Sequence, residues 1–437
     1  MNSKVNVIGC GLAGAEATYQ LAKRGIKVDV YEMKPTKFSP AHTSANFAEI
    51  VCSNSFKSED LGTASGCLKA EMRELDSLIL RLADLSKVPA GTALAVDRDK
   101  FSELVTKEIE KLNGVTVIRE HVTKIDLSVP TIIATGPLTS DELSIEIKNL
   151  IGSDNLHFYD ASAPIVDSST IDMSKTFSAG RYGKGTSDYI NCPMNKEEYY
   201  AFVDALILAE RVELHEFEKR EIFEGCMPIE VMASRGRDTL RYGTLRPVGL
   251  LDNDGKKPFA VVQLRKESNE NKLYNLVGFQ TNLKFGEQKR VFSMIPALKS
   301  AEFVKYGVMH RNSFINAPKH LNYDYSVKGF DNLYIAGQLS GVEGYMESTA
   351  SGMLAGIFLA NKILGKTLDP LPKTTIIGAI TNYITTASSE NFQPMNANFG
   401  ILPELTEKIK DKSLKKQKYS ERAIHDIKIY KENNLHD

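Results

Sequence analysis

The opening stretch constrains this chain more than any other. Lys4-Val5-Asn6-Val7-Ile8 alternates apolar and polar residues as a strand does, and Gly9-Cys10-Gly11-Leu12-Ala13-Gly14 fits GxGxxG. Ala15 to Lys23 then reads as a helix of small residues and Lys27 to Tyr31 as a second strand. In that order these pieces make a dinucleotide-binding βαβ unit. Gly9 takes the tight turn, Gly11 lets backbone approach a pyrophosphate, and Gly14 lets helix and strand pack closely. The helix N-terminus faces the phosphate charge, which brings Leu12 and Ala13 into the nucleotide site. Glu32, at the end of the second strand, is placed to accept hydrogen bonds from a ribose hydroxyl.

With 437 residues the chain has room for two or three domains, and its 42% hydrophobic and 25% charged content is that of an ordinary globular protein. No apolar run approaches the ~20 residues that span a bilayer, so no membrane is expected as a partner and the expected compartment is the cytosol. Cys10, Cys52, Cys67, Cys192 and Cys226 include no CxxC pair, so neither a disulfide framework nor a metal site is expected. A formal net charge of -1 gives no global sign of a polyanionic partner, so such a partner would have to meet a local basic surface.

Lys34 to Lys57 reads as a long functional loop beside the nucleotide, with a strand-like Phe47 to Val51 before Cys52-Ser53-Asn54-Ser55. Leu68 to Leu85 has the periodicity of one amphipathic helix, Asp99 to Leu112 of another, and strands are expected near Val115 to Ile118 and Thr131 to Ala134. Gly136 closes the last of these in the way flavoprotein chains re-approach their cofactor. The texture changes at Lys196, giving three expected units: residues 1–195, the first part of a nucleotide-binding domain; 196–296, an inserted α+β domain; and 297–437, the second part of the first domain. The return is signalled by the buried strand Asn332 to Gly337 and the Gly/Ala-rich helix Glu347 to Asn361. Such a return is a feature of two-segment flavin folds, although Gln338 stands where many flavoproteins have Asp. The expected class is therefore α/β, a Rossmann-like FAD-binding domain with an inserted α+β domain. Six lysines from Lys408 to Lys418 read as a solvated helix face or an RNA contact.

Two thiols stand in unusual surroundings. Cys52 ends the nucleotide loop close to Lys57, and Cys226 lies in a glycine turn between Lys219-Arg220 and a run of arginines. An electropositive setting raises the thiolate fraction, and a thiolate attacks electron-poor carbon. Cys10, Cys67 and Cys192 read as small buried hydrophobes. Arg235, Arg237, Arg241 and Arg246, with Lys284, Lys289, Arg290, His310 and Arg311, are candidates to hold RNA phosphates, and Tyr242, Phe259, Phe279, Phe285 and Phe292 to stack a base or to fill a core.

Beyond these readings, the chain resembles the folate- and FAD-dependent tRNA uracil-5-methyltransferases, the TrmFO/Gid family, nearly end to end. The likeness rests on Val7 to Ala17, Cys52-Ser-Asn-Ser55, Ala93-Leu-Ala-Val-Asp-Arg98, Glu224-Gly-Cys-Met-Pro-Ile-Glu230, Val277-Gly-Phe-Gln-Thr281, Gly307 to Asn312, Gly341-Val-Glu-Gly-Tyr345 and Phe392 to Gly400. It departs from the family pattern at Tyr242 to Gly249, Ala90 to Ala93 and Gly183. The resemblance implies FAD, with Gly337, Gln338, Gly341, Glu343, Gly344 and Tyr345 joining the N-terminal glycines around it. Methylenetetrahydrofolate would be the carbon donor, NADH or NADPH the reductant, and the T-loop uridine (nucleotide 54) of tRNA the substrate. Cys226 and Cys52 match the family's catalytic pair, Cys226 as the nucleophile at uracil C6 and Cys52 near the flavin, or the reverse. Three alternatives stay open: the same chemistry on a 23S rRNA uridine, a flavin or NAD oxidoreductase of a small molecule, and a non-catalytic RNA-binding flavoprotein.

Overall fold

The computed structural model describes residues 4–152, 156–181, 188–212, 227–267, 273–307, 309–390 and 392–435. Its centre is a five-stranded parallel sheet in the order Leu333–Ile335, Thr131–Ile133, Lys4–Ile8, Lys27–Tyr31, Val115–Ile118. Val5, Val7, Val28, Val30, Ile132 and Ile335 are fully buried, as strands covered on both faces must be. The returning strand completes the sheet edge some two hundred residues after its neighbour, as the sequence implies.

The first helix, Leu12–Lys23, lies against the helix Tyr345–Ile363, and both are buried along most of their length. Small residues set that spacing. A Cβ on Gly352 would stand 2.1 Å from the Ala13 carbonyl oxygen, and one on Gly356 2.8 Å from that of Ala17.

A second, six-stranded sheet runs Phe177–Ser178, Tyr189–Met194, Ala260–Lys266, Leu273–Leu276, Ile165–Asp167, Phe303–Lys305, with every pairing antiparallel. The helix Lys196–Leu208 packs on it through Tyr199, Phe202, Val203 and Leu206. This sheet takes strands from Ile165 to Lys305, so the expected boundaries at 195 and 296 both fall within it. No helix among the described residues is long and apolar enough to cross a membrane.

Two local expectations are corrected. The helix expected over Leu68 to Leu85 is two helices, Ala64–Glu74 and Leu78–Leu85, with Asp76 between them at φ 62°. The second helix restarts because buried Glu16 accepts hydrogen bonds from the Ser77 hydroxyl and from the Leu78 and Ile79 amides. Phe47 to Val51 is no strand, since its last two carbonyls, of Ile50 and Val51, accept from the Arg98 guanidinium rather than from a neighbouring strand.

The C-terminal helix Lys412–Asn434 turns Tyr419, Ala423, Ile427 and Tyr430 inward and leaves Lys412, Lys416 and Lys418 exposed.

Candidate active site

The glycine turn takes the form the sequence demands. Gly9 has φ +91°, and a Cβ there would stand 2.8 Å from the Ala134 carbonyl oxygen; one on Gly14 would stand 1.8 Å from the Gly9 oxygen. Gly11 differs: nothing lies within 4 Å of where its Cβ would be. Two of the glycines are therefore fixed by packing, and the third faces open space at a helix N-terminus, where a phosphate fits. Glu32 is buried at the strand end, accepting from the Cys10 and Lys34 amides. Gly9, Gly11 and Glu32 line a cavity of about 90 Å³ together with Lys34, His42, His121 and Thr135. Leu12 and Ala13 open the helix, buried, and Gly136 follows Thr135 with φ +71°.

Pro137 and Leu138 line this cavity and also a larger one of about 390 Å³. The larger cavity lies between the two sheets. On one side it is walled by Cys52, Ser53 and the returning Gln338, Glu343, Gly344 and Tyr345, and on the other by Arg265, Asn275, Gly278 and Gln280. Gln338 donates to the Glu343 carboxylate, and the Gly337 amide donates to the Ser351 hydroxyl at 2.7 Å. A Cβ on Gly341 would meet the Phe392 ring, and one on Gly344 the Glu347 carboxylate. Of the expected nucleotide-site residues, Gly9, Gly11 and Glu32 line the first cavity and Gln338, Glu343, Gly344 and Tyr345 the second, whereas Leu12, Ala13, Gly14, Gly136, Gly337 and Gly341 line neither.

Cys52 is held by its backbone. Its amide donates to the Tyr345 hydroxyl at 2.9 Å, and the two carbonyls before it accept from Arg98 at 2.7 and 3.0 Å. Arg98 pairs with Glu267 of the second sheet, and both are largely buried. Burial works against the Arg98 charge, but the Glu267 carboxylate outweighs it and holds the guanidinium pKa above its ordinary value. The Tyr345 hydroxyl is pushed well up, by burial first and then by the neighbouring Cys52 sulfur. Lys305 is pulled down by burial and by Arg98, and it too lies within electrostatic reach of Cys52. Arg265 donates to Ser53 at 2.7 Å and to Asn54 at 2.8 Å, and Asn275 donates to Asn54 at 3.2 Å.

This network is what the sequence reading missed. Arg265 and Asn275 are cross-strand partners, a signal that exists only once the register is known.

The other thiols match their reading as buried residues. Burial pushes Cys192 up to about 12 and Cys10 well above the usual thiol range, and Cys67 is likewise raised. Cys226, with Lys219 and Arg220, lies outside the described residues.

Four of the nine basic candidates have ion-pair partners among the described residues. Arg237 pairs with Asp204 and sits 4.7 Å over the Tyr200 ring. Arg241 sits 3.6 Å over Phe259 and pairs with Asp238. Lys284 pairs with Glu210, and Arg290 with Glu287. Arg235, Arg246 and Lys289 are exposed. Phe279 and Phe292 are core residues, whereas Tyr242 and Phe285 stand in solvent.

The family described as "Glucose inhibited division protein A" matches residues 4–367. Methylenetetrahydrofolate--tRNA-(uracil-5-)-methyltransferase TrmFO of Acetivibrio thermocellus is 56% identical over 429 residues, 98% of each chain. Its counterpart in Lactobacillus johnsonii is 54% identical over 433 residues, 99% of each chain. These names give no support to the ribosomal or small-molecule alternatives. Among solved structures, GidA of Aquifex aeolicus in its form II crystal superposes with a TM-score of 0.70 at 16% identity, covering 98% of this chain and 73% of that one, a likeness of fold. With a full-length match above half identity, a family match over most of the chain and a fold shared with GidA, the chain belongs to the glucose-inhibited division protein A family and, within it, to the TrmFO methyltransferases.

Proposed function

We propose that this protein methylates C5 of a tRNA uridine, that of the T-loop, with methylenetetrahydrofolate as carbon donor, bound FAD, and NADH or NADPH as reductant. The observation that carries this reading is the placing of Cys52 in the wall of the 390 Å³ cavity, between the returning nucleotide-binding segment and the second sheet. Gly11 with its open space, the helix N-terminus behind it and Glu32 at the strand end are a donor and acceptor set suited to the pyrophosphate and ribose of FAD. When bound, reduced flavin supplies the hydride equivalent that turns the transferred methylene into a methyl group.

The protein's own part is nucleophilic and acid–base chemistry. C5 of uracil becomes nucleophilic once a thiolate has added to C6. After C5 has taken up the one-carbon unit, a base removes the C5 proton and the thiolate leaves. Cys226 is assigned the attack on C6 and Cys52 the C5 side, close to the flavin. Arg98 and Lys305 both lie within electrostatic reach of Cys52. The Ile229 amide donates at 2.8 Å to the carbonyl of Gln280, a residue of the cavity wall. The uridine has to leave its stack to reach such a pocket.

The test is to incubate the purified protein with methylenetetrahydrofolate, NADH and unmodified tRNA or 23S rRNA transcripts, then analyse the nucleosides by mass spectrometry. 5-Methyluridine in the tRNA is expected. Product in rRNA alone, or no product while the flavin is still reduced by NADH, would overturn the assignment.

A further inference from the structure

Ring contacts inside the second sheet's core are tilted or edge-on, as between Phe202 and Phe279 or Phe279 and Phe292. One set differs. Phe303, Tyr306 and Phe285 lie nearly parallel, with centroids 5.9 and 5.1 Å apart and interplanar angles of 13° and 16°. The stack starts at buried Phe303, passes through half-buried Tyr306 and ends at Phe285, which is 56% exposed. A ring covered on one face by Tyr306 and still this exposed offers its other face to solvent.

A single exposed phenylalanine is commonplace, but this one is built into a fixed and basic setting. Phe285 opens the helix Phe285–Phe292, and that helix is pinned to the chain after Tyr306 by fully buried Gln288, which both donates to the Gly307 carbonyl and accepts from its amide, each at 2.8 Å. Lys284 precedes the helix and Lys289 and Arg290 lie in its last turn; with Arg211, bridged to Leu283, these four cations outnumber the neighbouring Glu210 and Glu287. Lys305, next to Tyr306 in the chain, lies within electrostatic reach of Cys52, and Gln280, five residues before Phe285, lines the catalytic cavity.

We infer that Phe285 is a stacking platform for an unstacked RNA base beside the target uridine, with Lys289 meeting a neighbouring phosphate. Base–aromatic stacking accepts any base because every base has a π-face, so the platform adds affinity without reading sequence. Following Gln280 of the cavity wall by five residues in the chain, it is suited to hold the strand from which the uridine has been extruded. This inference rests on the proposed tRNA methylation.

The test uses the full-length protein and an unmodified tRNA transcript with 2-aminopurine in the T-loop, comparing wild type with Phe285→Ala, Phe285→Leu and Phe285→Trp. Visible flavin absorbance reports whether each variant folds. Phe285→Ala should weaken tRNA affinity by about five- to a hundredfold, the range for losing one stacked base. It should leave the salt dependence unchanged and relieve the quenching of 2-aminopurine. Tryptophan should restore both affinity and quenching, and leucine should restore neither. If Phe285→Ala loses its flavin, the leucine and tryptophan variants decide. Leucine binding tRNA as tightly as phenylalanine would overturn the platform while leaving the methyltransferase reading intact. So would a change confined to the KM for the folate, which would give the ring to the folate instead. Failure of the wild type to bind tRNA at all would overturn the functional reading, and the platform with it.

Discussion

The two walls of the large cavity are built on different principles. The nucleotide-binding half behind the first wall is held by backbone coming close to backbone, at Gly9 against Ala134, Gly14 against Gly9 and Gly352 against Ala13. The opposite wall is made by side chains, with Arg265 and Asn275 of the second sheet, and Glu267 just after its strand Ala260–Lys266, reaching Ser53 and Asn54 of the loop after Cys52 and Arg98 at the start of a helix. The close approaches of the first have no room for an added atom, and the second cannot lose a charge. A steric site of the first kind is written within a few consecutive residues. A charge network of the second kind joins residues 211 and 221 positions apart.

The largest effect is expected where an atom is added. Gly14→Ala places a methyl 1.8 Å from the Gly9 oxygen, so helix and strand have to separate. A loss of about 3 kcal/mol or more is expected, with little or no flavin retained. Gly11→Ala is the control that sharpens the contrast. Its methyl enters open space and its φ of -73° suits alanine, so the melting temperature should hardly move while the protein purifies pale. Equal destabilisation by both substitutions would mean that Gly11 is fixed by packing as well, and the distinction between packing and ligand glycines would fail.

Next comes the removal of a charge. Arg98→Ala leaves Glu267 buried without its cation, which costs about 3–5 kcal/mol in comparable buried pairs, and it frees the carbonyls that precede Cys52. Urea unfolding should show the loss, and iodoacetamide should alkylate Cys52 at an altered rate. Arg98→Lys should recover only part of both, because an ammonium does not reproduce a guanidinium's fork to Glu267 and to two carbonyls. A loss below about 1 kcal/mol would place this pair with the weak surface salt bridges.

The contrast also explains what was legible in the sequence. The βαβ unit, the return at Leu333–Ile335 and the helix of small residues after it follow from local spacing, and the structure keeps them nearly residue for residue. Cys52 was singled out by its neighbours in sequence, but the groups that hold it were not, since Arg98, Glu267 and Tyr345 come from three distant elements. Phe47 to Val51 alternates like a strand, yet its carbonyls are taken by Arg98, a competitor that no local pattern reveals. The reach of the second sheet beyond residues 196–296 is hidden from the sequence for a related reason. Its strands Ile165–Asp167, Phe177–Ser178 and Phe303–Lys305 are too short to carry a period and are strands only because their neighbours pair with them.

Within the first half, Glu71 joins Glu16 as a buried charged group that does what backbone does elsewhere. Buried Glu71 accepts from the Ile376 and Ile377 amides at 2.7 and 2.8 Å, which joins the helix Ala64–Glu74 to the start of the helix Ile376–Thr386. Burial raises its pKa to about 7 against those two hydrogen bonds. The native state therefore keeps a proton that the unfolded chain releases near the ordinary value of 4.5. The contribution of this group to stability should fall as the pH rises from about 4.5 to about 7 and stay level above, by at most about 3 kcal/mol. Glu71→Gln should lack that fall, and the difference between variant and wild type in urea midpoint, measured at pH 5 and pH 8, isolates it. A difference that does not change with pH would mean that Glu71 is ionised throughout.

The smallest effect is expected on the outer surface, where the second half uses its charges on itself. Arg241 lies over Phe259, donates to the Phe259 carbonyl and pairs with Asp238, so its charge is already answered within the protein. Lys289 is exposed and has no ion pair among the described residues. If phosphate contacts steer tRNA to this face, Lys289→Ala should lower the slope of log affinity against log salt by about one, as the loss of one phosphate contact does. Arg241→Ala should leave the slope close to that of the wild type and show itself mainly as a small loss of stability. Equal slopes for both variants, each reduced by one, would show that the pairing with Asp238 gives way to RNA. The second half would then be a reservoir of exchangeable charge, unlike the fixed network between Arg98 and Glu267 at its inner wall.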